Sequence, residues 1–195
     1  MTRRKRINKK VLMSIFIVAI MVLSVFGFMM SYQTNQRDKL ADYNGFEFSR
    51  TQHGLMTEID GNEMYFNYYP GDLEKLSFPD DASLILADSK VFYVTYDPDS
   101  DFATAIAEQQ LDMELKLNKL GDRFISKGFT NATGYELPEI TCANATAAIP
   151  VYQIIDGENS SIQTEESCVI LTIANEPDLN AYHTRILYTI LGVMK

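Results

Sequence analysis

The groups best able to do chemistry are few: two cysteines, Cys142 and Cys168, and two histidines, His53 and His183. Together they have the composition of a zinc site. Such a site is nucleated by short-spaced ligand pairs of the Cys-x-x-Cys kind, and this chain has none. A thiolate–imidazole nucleophile in turn needs an unpaired cysteine. The two thiols, 26 residues apart, leave three readings open: a structural disulfide, two buried free thiols, or a redox couple. A disulfide closing a loop of that length contributes about 3–4 kcal/mol through the entropy of the unfolded chain.

A second constellation is acidic. Asp97, Asp99 and Asp101 alternate, and Glu108 stands at the twelfth position counted from Asp97. Oxygen ligands at those positions match a calcium-binding loop. The sixth position, where the sharp turn of such a loop requires glycine, is Phe102, and a strand-like segment rather than a helix precedes it. The expectation is therefore that Asp97 to Asp101 caps a helix, its oxygens accepting the first free N–H groups and its charge suiting the positive end of the dipole. The acid pairs Asp80-Asp81 and Glu165-Glu166 read as solvated surface. Gly-x-Ser-x-Gly, His-Glu-x-x-His and phosphate-cradling glycine loops are missing from the sequence. Spacing thus assigns no catalytic residue, no metal ligand and no cofactor. Asn131-Ala132-Thr133, Asn144-Ala145-Thr146 and Asn159-Ser160-Ser161 are N-glycosylation sequons, making Asn131, Asn144 and Asn159 candidate modification sites.

The elements that must position these groups divide sharply by charge. The chain has 195 residues with 17 Lys+Arg and 26 Asp+Glu, a net charge of −9. Arg3, Arg4, Lys5, Arg6, Lys9 and Lys10 lie in the first 30 residues without one acid. The head therefore carries +6 and residues 31–195 carry −15. An acidic domain repels polyanions, so nucleic acid is not an expected partner. Val11 to Met30 (VLMSIFIVAIMVLSVFGFMM) is 20 residues without a charge, Asn, Gln or Pro. At about 1.5 Å per residue it spans about 30 Å, the thickness of a bilayer core. The segment exceeds a signal-peptide core, and its exit, Phe26-Gly27-Phe28-Met29-Met30-Ser31, lacks a small-residue cleavage site. The reading is an uncleaved signal anchor, with the lipid bilayer as partner of residues 11–30. Residues 1–10 form a basic tail held in the cytoplasm, 31–42 a stalk, and 43–195 an extracytoplasmic domain.

Periodicity within the domain predicts strands around Phe46–Phe48, Leu55–Ile59, Met64–Tyr68, Lys90–Tyr96, Phe124–Thr130, Ile149–Ile155 and Cys168–Ile173. Asp60-Gly61 predicts a tight hairpin turn. Asp156-Gly157 begins a loop between the last two strands. Asp72 to Leu76 reads as a helical turn, and Ser83 to Ala87 as a short helix or strand. Phe102, Ile106, Met113, Leu117 and Leu120 form one stripe of a helix ending at Gly121. Leu179, Ile186, Leu187, Ile190, Leu191 and Met194 form another on a helix from about Asp178, with Pro177 suited to its first turn. The order is a hairpin, βαβ, ββ and α. It implies one α/β or α+β domain with a mixed sheet. Tyr65 to Tyr69 offers a candidate aromatic binding face, though tyrosines at a sheet edge commonly serve packing alone.

Several blocks are shared with a known group. Tyr43-Asn44-Gly45-Phe46, Tyr96-Asp97-Pro98, Ile140-Thr141-Cys142, Asn144-Ala145-Thr146, Cys168-Val169-Ile170-Leu171 and the ending Ile186 to Gly192 resemble short archaeal single-pass membrane proteins without an assigned activity. The resemblance implies an anchored topology and a paired Cys142–Cys168, and carries over no catalytic residue. The order of the second half, with Ile149-Pro150 opening a strand, is also similar to a thioredoxin-like arrangement. There the redox cysteines would stand where this chain has Asp97 to Asp101. The leading expectation is a non-enzymatic membrane-anchored protein whose outer domain binds an unknown protein or small molecule, or interacts with the envelope. The alternative is an extracytoplasmic thiol–disulfide protein using Cys142 and Cys168. A metal-binding module is the third.

Overall fold

The computed structural model describes residues 9–33 and 38–194. The basic residues Arg3, Arg4, Lys5 and Arg6 lie outside the described residues. The chain divides into two compact units, with the boundary between Asp38 and Lys39. The first unit is helix α1, Lys9–Gln33. An 18-residue window within its stretch Lys9–Met29 has a mean hydropathy of 2.8, and none of that window is buried. It is long and apolar enough to cross a membrane, and it presents apolar side chains all round rather than a polar face.

A four-stranded sheet has the order β1-β2-β3-β4: Asp38–Lys39 at the boundary, then Ser49–Thr51, Gly54–Ile59 and Asn62–Phe66 of the second unit, with β2–β3 and β3–β4 antiparallel. The expected hairpin turn is present: Ile59 pairs with Asn62 across Asp60 and Gly61, whose φ values are 49° and 77°. Two positive φ angles are what a two-residue turn with the right twist requires. Phe46 departs from expectation. It closes a similar turn with Tyr43 across Asn44 and Gly45, and the strand begins only at Ser49. Phe48, 1% exposed, nevertheless enters the core as its alternation predicts.

After α2 (Pro70–Leu73) and α3 (Asp80–Ala87) comes a five-stranded mixed sheet of order β6-β5-β7-β9-β8. β5 (Val91–Tyr96) is parallel to both β6 (Phe124–Phe129) and β7 (Val151–Asp156), and β7 is parallel to β9 (Cys168–Ile173). The segment after Asp156 contains an unexpected strand, β8 (Ser161–Glu165), antiparallel to β9 at the edge. The mixed α/β class stands; a thioredoxin-like second half is not confirmed.

Helix α4 (Ala103–Leu120) joins β5 to β6, and α5 (Glu176–Ile190) closes the fold. Ile106, Met113 and Leu117 are fully buried, and Phe102 and Leu120 pack beside them, as the stripe requires. Lys116 pairs with Asp112 one turn earlier. The N-terminus of α5 lies two residues before the expected Asp178. Asn175 caps it by accepting from the Asp178 N–H at 2.9 Å, and Pro177 falls in the first turn.

Both helices lie between the two sheets. Met64 and Phe66 of the meander, Leu117 of α4, Tyr188 of α5, and Phe92, Val94, Tyr152 and Leu171 of the large sheet belong to one apolar core. On the sheet's other face, Ile140, Val151 and Cys168 form a smaller cluster with Tyr93, Cys142 and Ile170. Strand alternation sends Phe92 and Val94 to one face and Tyr93 to the other. Among the described residues, no α-helix belongs to the cluster on that second face. The segment 138–145 covers part of it, hydrogen-bonded to the end of β6 through Phe129 and Ile140.

Gly54 is the tightest point of the meander. Its φ is +111°, and a Cβ there would stand 2.7 Å from the Phe66 carbonyl oxygen. Gly54→Ala is expected to destabilise the domain by about 2 kcal/mol or more, since both backbone strain and a clash with main chain must be relieved. Gly61→Ala, at positive φ but in open space, costs about 1 kcal/mol. Urea unfolding followed by tyrosine fluorescence, usable because the chain lacks tryptophan, measures both.

Candidate functional site

Cys142 and Cys168 are joined by a disulfide with Cα atoms 5.3 Å apart. Cys168 opens β9 and Cys142 opens a short 3-10 turn, Cys142–Asn144. The turn is held by a capping box between Thr141 and Asn144. The Gln153 side-chain oxygen accepts from the Cys142 N–H at 3.0 Å. The bond therefore ties the covering segment to the sheet face beneath it. Cys168 is 1% exposed. Cys142 is half-buried, so the covering segment carries the more accessible half of the bond.

The acidic loop lies at the carboxyl ends of the parallel strands. β5 departs toward β6 on one side of it, and β7 departs toward β8 and β9 on the other. Open α/β sheets form crevices at such points of reversal. Here the crevice is bridged: the Ser100 hydroxyl donates to Asp156 at 2.6 Å and accepts from the Phe102 N–H at 3.0 Å. Asp97 accepts from the Asp99 N–H at 3.0 Å. The expected capping is thereby corrected. The N-cap of α4 is Phe102, which has no side-chain cap, and Asp97 and Ser100 instead shape the loop before it. The physical reason is that the chain makes two turns between Asp97 and Ala103 before entering the helix. Among the described residues, no three of His, Cys, Asp or Glu converge as metal ligands.

The histidines go to different environments. His53 is exposed at the β2–β3 turn, edge-on to Tyr65. His183 is 1% exposed, and its ring lies 6.4 Å from that of Tyr152. Neither ring nitrogen of His183 and not the Tyr152 hydroxyl has a hydrogen-bond partner. Burial first, and the Lys116 charge second, hold the His183 pKa down to about 3; a backbone group of Gln109 opposes this in a geometry too poor for a full hydrogen bond. Burial likewise pushes the Tyr152 hydroxyl up. The pair is a neutral polar island in the core.

Clefts on the domain reach the dimensions of a ligand site: one of about 500 Å³ lies between Asp88, Lys90, Asp122 and Arg123, and another bears more on binding. It lies on the meander, holds about 520 Å³, and is lined by Arg50, Gly54, Leu55, Tyr68, Tyr69 and Asp72 among others. The sequence signal for it was faint: Arg50 is the only base between Lys39 and Lys75. Tyr65 to Tyr69 divides at the end of β4: Phe66 is buried within the strand, and Tyr68 and Tyr69, beyond it, are half-buried at the cleft. The sequon residues Asn131, Asn144 and Asn159 are all exposed, in loops or the 3-10 turn. The carboxylates of Asp80-Asp81 stand in the first turn of α3, and Glu165-Glu166 at the β8–β9 turn. Compared with family models, curated proteins and solved structures, the chain matches none.

Two outcomes are expected. Replacing both cysteines by serine lowers stability by about 3.5 kcal/mol in denaturant titration, and native protein shows no thiol labelling without reductant. Acid sensitivity follows from His183. Its folded pKa lies below the unfolded value, so the unfolded chain takes up the extra proton. Stability is full above about pH 6.5 and falls as pH drops toward 3, losing about 2 kcal/mol by pH 5. Unfolding midpoints across that window, compared with His183→Leu, should show a shallower slope in the variant.

Proposed function

We propose that this is a non-enzymatic, single-pass membrane-anchored protein whose acidic α/β domain lies outside the cytoplasm and binds a partner or ligand there. The observation that carries the reading is α1. Over Lys9–Met29 large apolar side chains stand about half or more exposed, from Ile20 at 48% to Leu23 and Phe28 at 69%. The core of the domain includes none of them. Water would solvate that surface at high cost, and 21 residues of helix match a bilayer core of about 30 Å.

The basic residues before and at the start of α1 support an inward N-terminus, since positive flanks stay cytoplasmic. The disulfide supports an oxidising compartment for the domain. The resemblance to short archaeal anchored proteins points the same way. The cleft supports binding over catalysis: it brings together no nucleophile, base and orienting group. A redox role for Cys142 and Cys168 has less support, given the burial of Cys168.

Protease added to intact cells is expected to remove the domain and leave a membrane-embedded fragment that contains α1. Protection of the domain in intact cells, with digestion only after lysis, would reverse the orientation. A mature protein in the soluble fraction that starts beyond residue 30 would replace the anchor with a cleaved signal.

A further inference from the structure

The meander cleft deepens the binding reading, and rests on it. Two charged side chains line it: Arg50 from β2 and Asp72 from α2. Neither takes part in an ion pair or a side-chain hydrogen bond among the described residues, and they do not pair with each other. This is unusual company for an arginine in a region with 26 acids and 11 bases. Both residues are solvent-exposed, and one cation and one anion thus border the same space of about 520 Å³ without pairing.

We propose that the cleft binds a small zwitterion of the free amino acid class, its carboxylate on the Arg50 guanidinium and its ammonium on the Asp72 carboxylate. Charge balance selects this class. A ligand with separated opposite charges leaves neither wall charge uncompensated. A dicarboxylate would set a negative group against Asp72, and a diamine would set a positive group against Arg50. The guanidinium fork suits a carboxylate in two-point contact. Tyrosine rings beside Asp72 suit an ammonium. Leu55 and the same rings supply apolar wall for a side chain.

The walls are already in place. The Tyr69 hydroxyl donates to the Ala41 carbonyl at 3.1 Å, and the Tyr68 hydroxyl reaches the Pro177 carbonyl at 3.4 Å. The Tyr69 ring packs edge-on against Phe48 at 5.5 Å. Gly54, which borders the cleft, lets the backbone of the β2–β3 turn close on the Phe66 carbonyl. Fixed walls reduce the ordering cost of binding a small, weakly held ligand.

The test is calorimetric titration of the full chain in lipid nanodiscs with each of the common L-amino acids. The tightest one is then compared with its decarboxylated amine and its deaminated acid. At least one amino acid should bind saturably, and both half-charged analogues should bind about tenfold or more weakly. Arg50→Gln should weaken the amino acid and the acid analogue while leaving the amine unchanged. Asp72→Asn should weaken the amino acid and the amine while leaving the acid unchanged. Both side chains are free of intramolecular bonds, so melting temperature should stay at the parent value and serves as the folding control. No saturable binding of any amino acid to folded protein, or equal binding of the half-charged analogues, overturns the assignment. Either failure leaves the protease result on topology untouched, so the two readings fail separately.

Discussion

Tyr188 joins the two halves of the domain. Its ring lies 4.4 Å from Phe66 and 6.0 Å from Phe48, both in or beside the meander, and its hydroxyl donates to the Tyr68 carbonyl at 2.8 Å. The residue belongs to α5, which also packs on β9 of the large sheet. A tyrosine with no exposed surface buries its hydroxyl at a cost unless the group finds a partner, which Tyr152 does not and Tyr188 does. The partner here is a main-chain carbonyl at the exit of β4. The hydrogen bond therefore helps fix where α5 sits against the meander, and the meander in turn sets the cleft between β2, β3, the segment after β4, and α2.

The large sheet solves a different problem. Its central strands are apolar on both faces, yet among the described residues helices cover only one. The segment 138–145 takes the place of a second helix layer. Ile140 is the one large apolar side chain in that stretch, so it has little of its own to hold it down. The disulfide supplies the tether, and Thr95 adds a hydrogen bond to the Ile140 carbonyl at 2.8 Å. Gly128 allows the approach, because a Cβ there would meet Ile140 at 2.7 Å. The cysteines make sense as the answer to a one-sided sheet.

Legibility varied with the strength of the local signal. Strand β5 was plain from KVFYVTY, and α4 from its apolar stripe, because a fully buried strand and a half-buried helix each leave a period. Strand β8 was missed. SIQTE has one apolar residue, Ile162, and an edge strand needs only that one inward side chain. Phe46 was assigned to a strand on alternation, while Asn44-Gly45 makes the tighter local demand and turns the chain there. The buried state of His183 was invisible for another reason: a lone histidine on an apolar face has no periodic signature of its own.

The sequence by itself determined the charge division, the apolar span of 11–30, the positions of most strands and helices, and the presence of two thiols. These depend on composition and on neighbours within a few residues. Only the tertiary structure decided that the thiols bond, that Ser100 and Asp156 satisfy each other, and that Arg50 and Asp72 face one cleft unpaired. Each of those facts joins residues from different elements. Their meeting depends on the order in which strands pair and on the helix between two sheets, and no local pattern encodes either.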